Sequence, residues 1–169
     1  MEIVLTYVLS KLGGKATLDD IYSVTKVPKT ILKKYLWYCQ RRKLIRRDVG
    51  VYHITDAGWE LIRGNRIISI KDKIFIVSTS DEIQLVTLGK KTRRRVIKKD
   101  LLIRLIHRGC ITRDEIRNSY DRKTLAAAIR ILRILRVAKT RGEKICIVPQ
   151  SLGRLRILGI NTGKTSSGD

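Results

Sequence analysis

The chain is predicted to be an α+β protein, mainly α, with two similar helical units joined by a small antiparallel β segment. Three observations lead there. Apolar residues recur at helical spacing over residues 2–63 and again over 98–136, and a short strand-turn-strand pattern centred on a glycine lies within the first stretch and directly after the second. Landmarks of the first stretch return in the second at a nearly constant offset. Between them, residues 66–88 alternate with the period-two rhythm of strands. The resulting divisions are a first unit over 1–65, a β-meander and basic linker over 66–95, a second unit over 96–150, and a basic, partly disordered tail over 151–169.

In the first unit, Glu2 to Leu12 places Leu5, Val8, Leu9 and Leu12 on one helical face, and Gly13-Gly14 ends the run. Thr17 stands three residues before Asp20, a capping-box arrangement that opens a short helix to about Thr25. Pro28 suits the first position of a third helix, where its missing N–H would be unpaired anyway. That helix, about Pro28 to Arg42, buries Leu32, Leu36 and Cys39, with Tyr35 beside them. It turns Lys29, Thr30, Lys33, Trp37 and Arg41 mainly to the opposite side. Leu44 to Arg47, Asp48-Val49-Gly50 and Val51 to Ile54 read as strand, turn, strand, and Thr55 caps a closing helix from Asp56 to Arg63.

The second unit repeats the plan. Thr17-Leu18-Asp19-Asp20-Ile21 returns as Thr112-Arg113-Asp114-Glu115-Ile116, offset by 95, Lys29-Thr30 as Lys123-Thr124, offset by 94, and Gly50 as Gly142, offset by 92. Its first helix runs from Lys98 to Arg108 with Leu101, Leu102, Leu105 and Ile106 inward. Its third runs from about Arg122 to Arg136 and buries Leu125, Ile129, Leu132 and Leu135. Strands are expected at Val137 to Lys139 and Ile145 to Val148. Ala126 and Ala127 leave the outer face of the third helix poor in reading side chains, while Arg130 and Arg133 follow later. The helix is thus suited to holding phosphates or packing on a partner.

Composition narrows the function. Lys and Arg number 37 against 15 Asp and Glu, a net charge of +22. Such a surplus costs self-repulsion in the compact state and points to a polyanionic partner. The charge is spread, at +6 over residues 1–65, +5 over 66–95, +9 over 96–150 and +2 beyond, so an extended binding surface is favoured over a single polycationic tail. No stretch approaches the ~18 apolar residues that span a bilayer, and Met1 to Leu12 lacks a basic start, so membrane and export readings fall away and cytoplasmic, nucleoid-associated residence is expected. Cys39, Cys110 and Cys146 are far apart and sit in apolar runs. With only His53 and His107 beside them, the reading is small buried hydrophobes, with neither a disulfide framework nor a metal site.

The order helix, short helix, turn, longer helix, hairpin, helix is that of a winged helix, and residues 2–63 resemble that family in detail. Leu44-Ile45 after the third helix, and Tyr52-His53-Ile54-Thr55-Asp56-Ala57-Gly58 closing the hairpin, are typical of winged-helix transcription factors. The resemblance implies tandem winged helices and duplex DNA as partner. In this docking the third helix enters the major groove and residues near its N-terminus touch base edges, which singles out Lys29, Thr30 and Lys33, with Trp37 and Arg41 further along. Trp37 could equally stack on a base, pack on another protein or cover a helix seam. Arg46, Arg47, Arg141 and Lys144 flank the hairpin turns, as contacts to backbone or minor groove or as ordinary solubilising charge. Arg122, Lys123, Arg130 and Arg133 lie on the third helix of the second unit, the counterpart of the helix that carries Lys29, Thr30 and Lys33. Lys90, Lys91, Arg93, Arg94 and Arg95 form the basic linker, a minor-groove arm, phosphate clamp, RNA-binding stretch or plain hydrated linker.

No catalytic constellation, cofactor or metal is expected. Gly159 to Thr165 imitates a phosphate-binding loop but has three residues between its glycines where four are needed. Asp19, Asp20, Asp114 and Glu115 are accounted for by helix N-termini. The function expected is therefore that of a DNA-binding transcriptional regulator, with an RNA- or ribosome-associated protein and a chromosome-organising protein as rivals. The apolar first helix could also pair two chains. Three Asn and three Gln among abundant Ile, Arg and Lys hint at a heat-adapted, archaeal source, although acids are few for ion-pair networks.

Overall fold

Glycines and capping threonines divide the chain into its elements. In the computed structural model, which describes residues 1–89 and 93–160, α1 (Glu2–Lys11) ends ahead of Gly13 and Gly14, both at positive φ (81° and 82°). β1 (Lys15–Thr17) follows, then α2 (Leu18–Thr25), with both halves of the capping box made. The Asp20 N–H donates to the Thr17 hydroxyl oxygen at 3.2 Å, and the Thr17 N–H donates to the Asp20 carboxylate at 2.8 Å. Lys26 leaves α2 in the left-handed region, and Pro28 is the cap of α3 (Lys29–Arg41) rather than its first residue. β2 (Ile45–Asp48), β3 (Val51–Ile54) and α4 (Asp56–Arg63) complete this stretch as the sequence predicts.

β1 is an addition to that expectation. It pairs antiparallel with β3, Ala16 opposite Tyr52, so the hairpin belongs to a three-stranded sheet in the order β1-β3-β2. Three residues carry too little periodicity to announce a strand; the exposed edge of β3 makes it one.

The middle of the chain holds β4 (Arg66–Lys71), β5 (Ile74–Ser78), β6 (Glu82–Thr87) and β7 (Arg93–Lys98), a four-stranded sheet in that order. Arg93, Arg94 and Arg95 therefore lie in a strand and not in a linker. The strand is held by Ile97, which is fully buried, and its edge position leaves the arginines in water. Lys90, Lys91 and Thr92 fall outside the described residues.

The rest is α5 (Lys99–Arg108), β8 (Cys110–Thr112), α6 (Arg113–Asn118), α7 (Arg122–Ile134), β9 (Ala138–Arg141) and β10 (Lys144–Ile147), then a 3-10 helix over Pro149–Leu158. The order of elements and the sheet order, β8-β10-β9, repeat those of the first stretch. So do the helix ends. Thr112 and Glu115 make a second complete capping box. The long helices end alike, with Lys43 (φ 57°) and Arg136 (φ 58°) left-handed and the next N–H, of Leu44 and Val137, donating back to Cys39 and Leu132. That left-handed turn ends α7 before Arg136. The 3-10 segment was not expected; Leu152, Leu155 and Leu158 at spacing three suit its period, and the last two are fully buried. Of the expected tail over 151–169, the part to Ile160 is thus folded with Leu155, Leu158 and Ile160 buried, and residues 161–169 lie outside the described residues.

The chain is α+β with antiparallel pairing. It divides into one unit of Met1–Thr79 with Gln84–Arg95 and another of Ser80–Ile83 with the chain from Val96 on. In the first, Val4, Leu5, Val8 and Leu9 of α1 join Ile21, Leu32, Leu36 and Cys39 and continue to Phe75, Val77, Val86 and Leu88 of the four-stranded sheet. Tyr7 meets Phe75 edge-on at 6.5 Å. In the second, Leu102, Ile131, Leu132, Val137 and Leu155 are buried.

One expectation about the cysteines is overturned. Cys39 is fully buried, but Cys110 and Cys146 form a disulfide across β8 and β10, where they are register partners, and Cys110 is exposed. Sheet register brings together two residues 36 apart, which spacing alone does not disclose.

Candidate nucleic-acid interface

The richest cationic face lies on α3. Its stripe of Leu32, Leu36 and Cys39 is buried, which turns Thr30, Lys33, Lys34, Trp37, Tyr38 and Arg41 outward. Lys34 and Tyr38 were not singled out in the sequence, although Lys34 stands one turn after Thr30. Trp37 is 49% exposed, so it is not a seam residue of the core. The Arg41 guanidinium lies over its ring at 5.0 Å, and Tyr38 meets it edge-on at 5.0 Å. The arrangement offers a flat aromatic and a planar cation together, both able to stack on a base or a sugar face. Lys29 is different. It is ion-paired with Asp19 of α2 and sits 5.7 Å from the Tyr22 ring, so it is tethered at the start of the helix.

On the β2–β3 hairpin Arg46 and Arg47 are exposed, with the Arg47 guanidinium 5.6 Å from the Tyr52 ring. Arg93, Arg94 and Arg95 are exposed on β7, and the linker lysines Lys90 and Lys91 lie outside the described residues.

In the second unit α7 turns Arg122, Lys123, Ala126, Arg130 and Arg133 outward, while Ala127 and Ala128 are buried. Arg141 and Lys144 are both exposed and are direct partners across the β9–β10 hairpin. Like charges opposed in this way destabilise a hairpin unless an anion lies between or beside them. Tyr120, just before α7, is completely exposed beside Arg122 and Lys123. It is a lone aromatic in a turn, where no periodicity in the sequence marks it. A groove of about 600 Å³ runs along α7, lined by Ile116, Ile129, Ile134 and Ile145 with Arg130 and Arg133 at its side.

Several of the acids are engaged locally. Thr17 hydrogen bonds hold the Asp20 carboxyl below its usual range, and Thr112 hydrogen bonds do the same for Glu115, which also pairs with Arg108. Asp114 lies 3.5 Å from Arg117, and Glu2 3.7 Å from Arg42. Among the described residues no acid pairs with Lys33, Lys34, Arg130 or Arg133. The field of the outward helix faces is thus uncompensated and positive.

Burial pushes the Cys39 thiol up to about 12, which leaves it without nucleophilic character near neutral pH. Among the described residues no group of three His, Cys, Asp or Glu could hold a metal ion, and no helix is long and apolar enough to cross a membrane. Comparison of the chain with protein-family models, with curated proteins and with solved structures gives no match.

Proposed function

We propose that the protein binds duplex DNA through two winged helices in tandem and acts as a transcriptional regulator without enzymatic activity. The observation that carries this reading is the outward face of α3, where Thr30, Lys33, Lys34, Trp37 and Arg41 are exposed and Lys33 and Lys34 lack an acidic partner among the described residues. A helix is the right width for a major groove, and cations on its exposed face meet guanine acceptors and phosphates there. The repeat of element order, sheet order and helix ends in the second unit supports a pair of such modules. α7 and the Arg141–Lys144 pair would hold phosphates more than read bases, because Ala126 stands where α3 carries a longer side chain.

A second reading has its own support. Trp37 and the fully exposed Tyr120 are surfaces on which unpaired bases stack, as RNA binders require. Fluorescence-anisotropy titration at several salt concentrations, with a mixed-sequence duplex and a structured RNA of equal length, separates the two. Tighter binding to duplex, with part of it resisting random-sequence competitor, supports the regulator. Equal or tighter binding to RNA overturns it, and duplex binding wholly removed by competitor assigns the protein to chromosome organisation.

A further inference from the structure

Two surfaces carry apolar side chains that phosphate contact does not use, the tip of one hairpin and the groove beside α7. The first is the tip of the β2–β3 hairpin. Val49 is 96% exposed and has φ 41°, a left-handed conformation that β-branched side chains rarely adopt. The β9–β10 hairpin turns through Gly142 at the comparable place, with φ 56°. A strained residue with its apolar side chain wholly in water is a candidate for contact with another surface. Asp48, exposed beside it, puts a carboxylate at the turn itself, beyond Arg46 and Arg47, and that carboxylate suits a cation next to an apolar surface.

The second surface is the groove along α7. Its walls are Ile116, Ile129, Ile134 and Ile145, and Arg130 and Arg133 stand at its side without an acidic partner among the described residues. A polyanion would satisfy the arginines and leave the isoleucines against sugar and phosphate. A short apolar side chain next to a carboxylate satisfies both.

We infer that the Asp48-Val49 tip of one molecule docks in the α7 groove of a second copy, with Val49 against the isoleucines and Asp48 toward Arg130 and Arg133. Every copy carries one tip and one groove, so the contact is head-to-tail. One valine and one carboxylate bury little area, which makes the contact weak in dilute solution. It gains strength where neighbours are held side by side.

Trapping tests this without nucleic acid, so its outcome is independent of the DNA reading. Chains carrying Val49→Cys are mixed at high concentration with chains carrying Ala126→Cys, under oxidising conditions that keep the Cys110–Cys146 disulfide. A disulfide-linked pair of the two chains should form faster than with Val24→Cys, at a 44% exposed site on α2, in place of Val49→Cys. Arg130→Glu with Arg133→Glu in the groove chain should slow trapping by up to about fivefold, and Asp48→Lys in the tip chain should restore it. Trapping no faster than the Val24 control, or unmoved by charge reversal, or not restored by the exchange of charges, overturns the proposal. All the substituted side chains are on the surface, and circular dichroism of each variant checks its fold.

Discussion

Gly58 lies so close to the Leu44 carbonyl that a methyl group on it would collide with that oxygen and stand 2.7 Å from Ile54 Cγ2. Thr55 works at the same place. Its N–H donates to the Leu44 carbonyl at 3.1 Å, and its hydroxyl donates to the Lys43 carbonyl at 2.6 Å while accepting from the Gly58 N–H. The start of α4 is thereby fastened to the end of α3, which fixes where the outward face of α3 points. Gly58→Ala is expected to destabilise the first unit by about 1–3 kcal/mol through overpacking against backbone. Urea unfolding with an unchanged slope would measure it.

Lys33 stands on the solvent side of α3, so its loss should cost the fold little. Lys33→Ala should weaken duplex binding at low salt and lower the slope of log affinity against log salt by about 1, one phosphate's worth of released counterion. An unchanged slope would remove Lys33 from the interface. Trp37→Ala, by contrast, should weaken binding with the slope preserved, because stacking releases no ions.

The capping boxes carry an acid sensitivity whose sign follows from their carboxylates. Asp20 and Glu115 are held below their ordinary values by the Thr17 and Thr112 hydrogen bonds. Their contribution is complete above the ordinary carboxylate range and is lost as pH falls below that range and through the lowered values of the folded state. Thr17→Ala and Thr112→Ala should each cost about 0.5–2 kcal/mol near neutral pH, and the penalty should shrink on acidification. Thermal melts at neutral and acid pH check both points.

Reduction should act on one unit alone. The Cys110–Cys146 bond closes a separation of 36 residues, for which about 3–4 kcal/mol of stabilisation is expected. Calorimetry with and without a thiol reductant should therefore lower the transition of the second unit and leave that of the first in place. Cys39, buried with its thiol pushed up to about 12, should resist thiol reagents until the first unit unfolds.

Val49→Asn offers a gain. Asn tolerates the left-handed region that strains valine, so the variant should be more stable by about 1 kcal/mol, read as a higher denaturation midpoint. A lower midpoint would show that valine is at ease at φ 41°.

What the sequence determined by itself is local. Helix starts at Thr17, Thr55 and Thr112, the stops at Gly13-Gly14 and the buried stripe of α3 all depend on residues within a turn or two of one another. Their signals therefore survive in a one-dimensional reading. The cations of α3 and α7 were legible for the same reason, since helical period alone sorts inward from outward. Tertiary structure decided the rest. β1 and β8 exist because β3 and β10 offer them an edge, and three residues have no pattern of their own. Register, not spacing, joined Cys110 to Cys146. Arg93 to Arg95 became strand because Ile97 is buried beyond them, against every expectation from their charge. The exposure of Trp37, Tyr120 and Val49 was decided by what does not pack on them. A side chain's type states its preference for burial, but only the assembled neighbours set whether that preference is met.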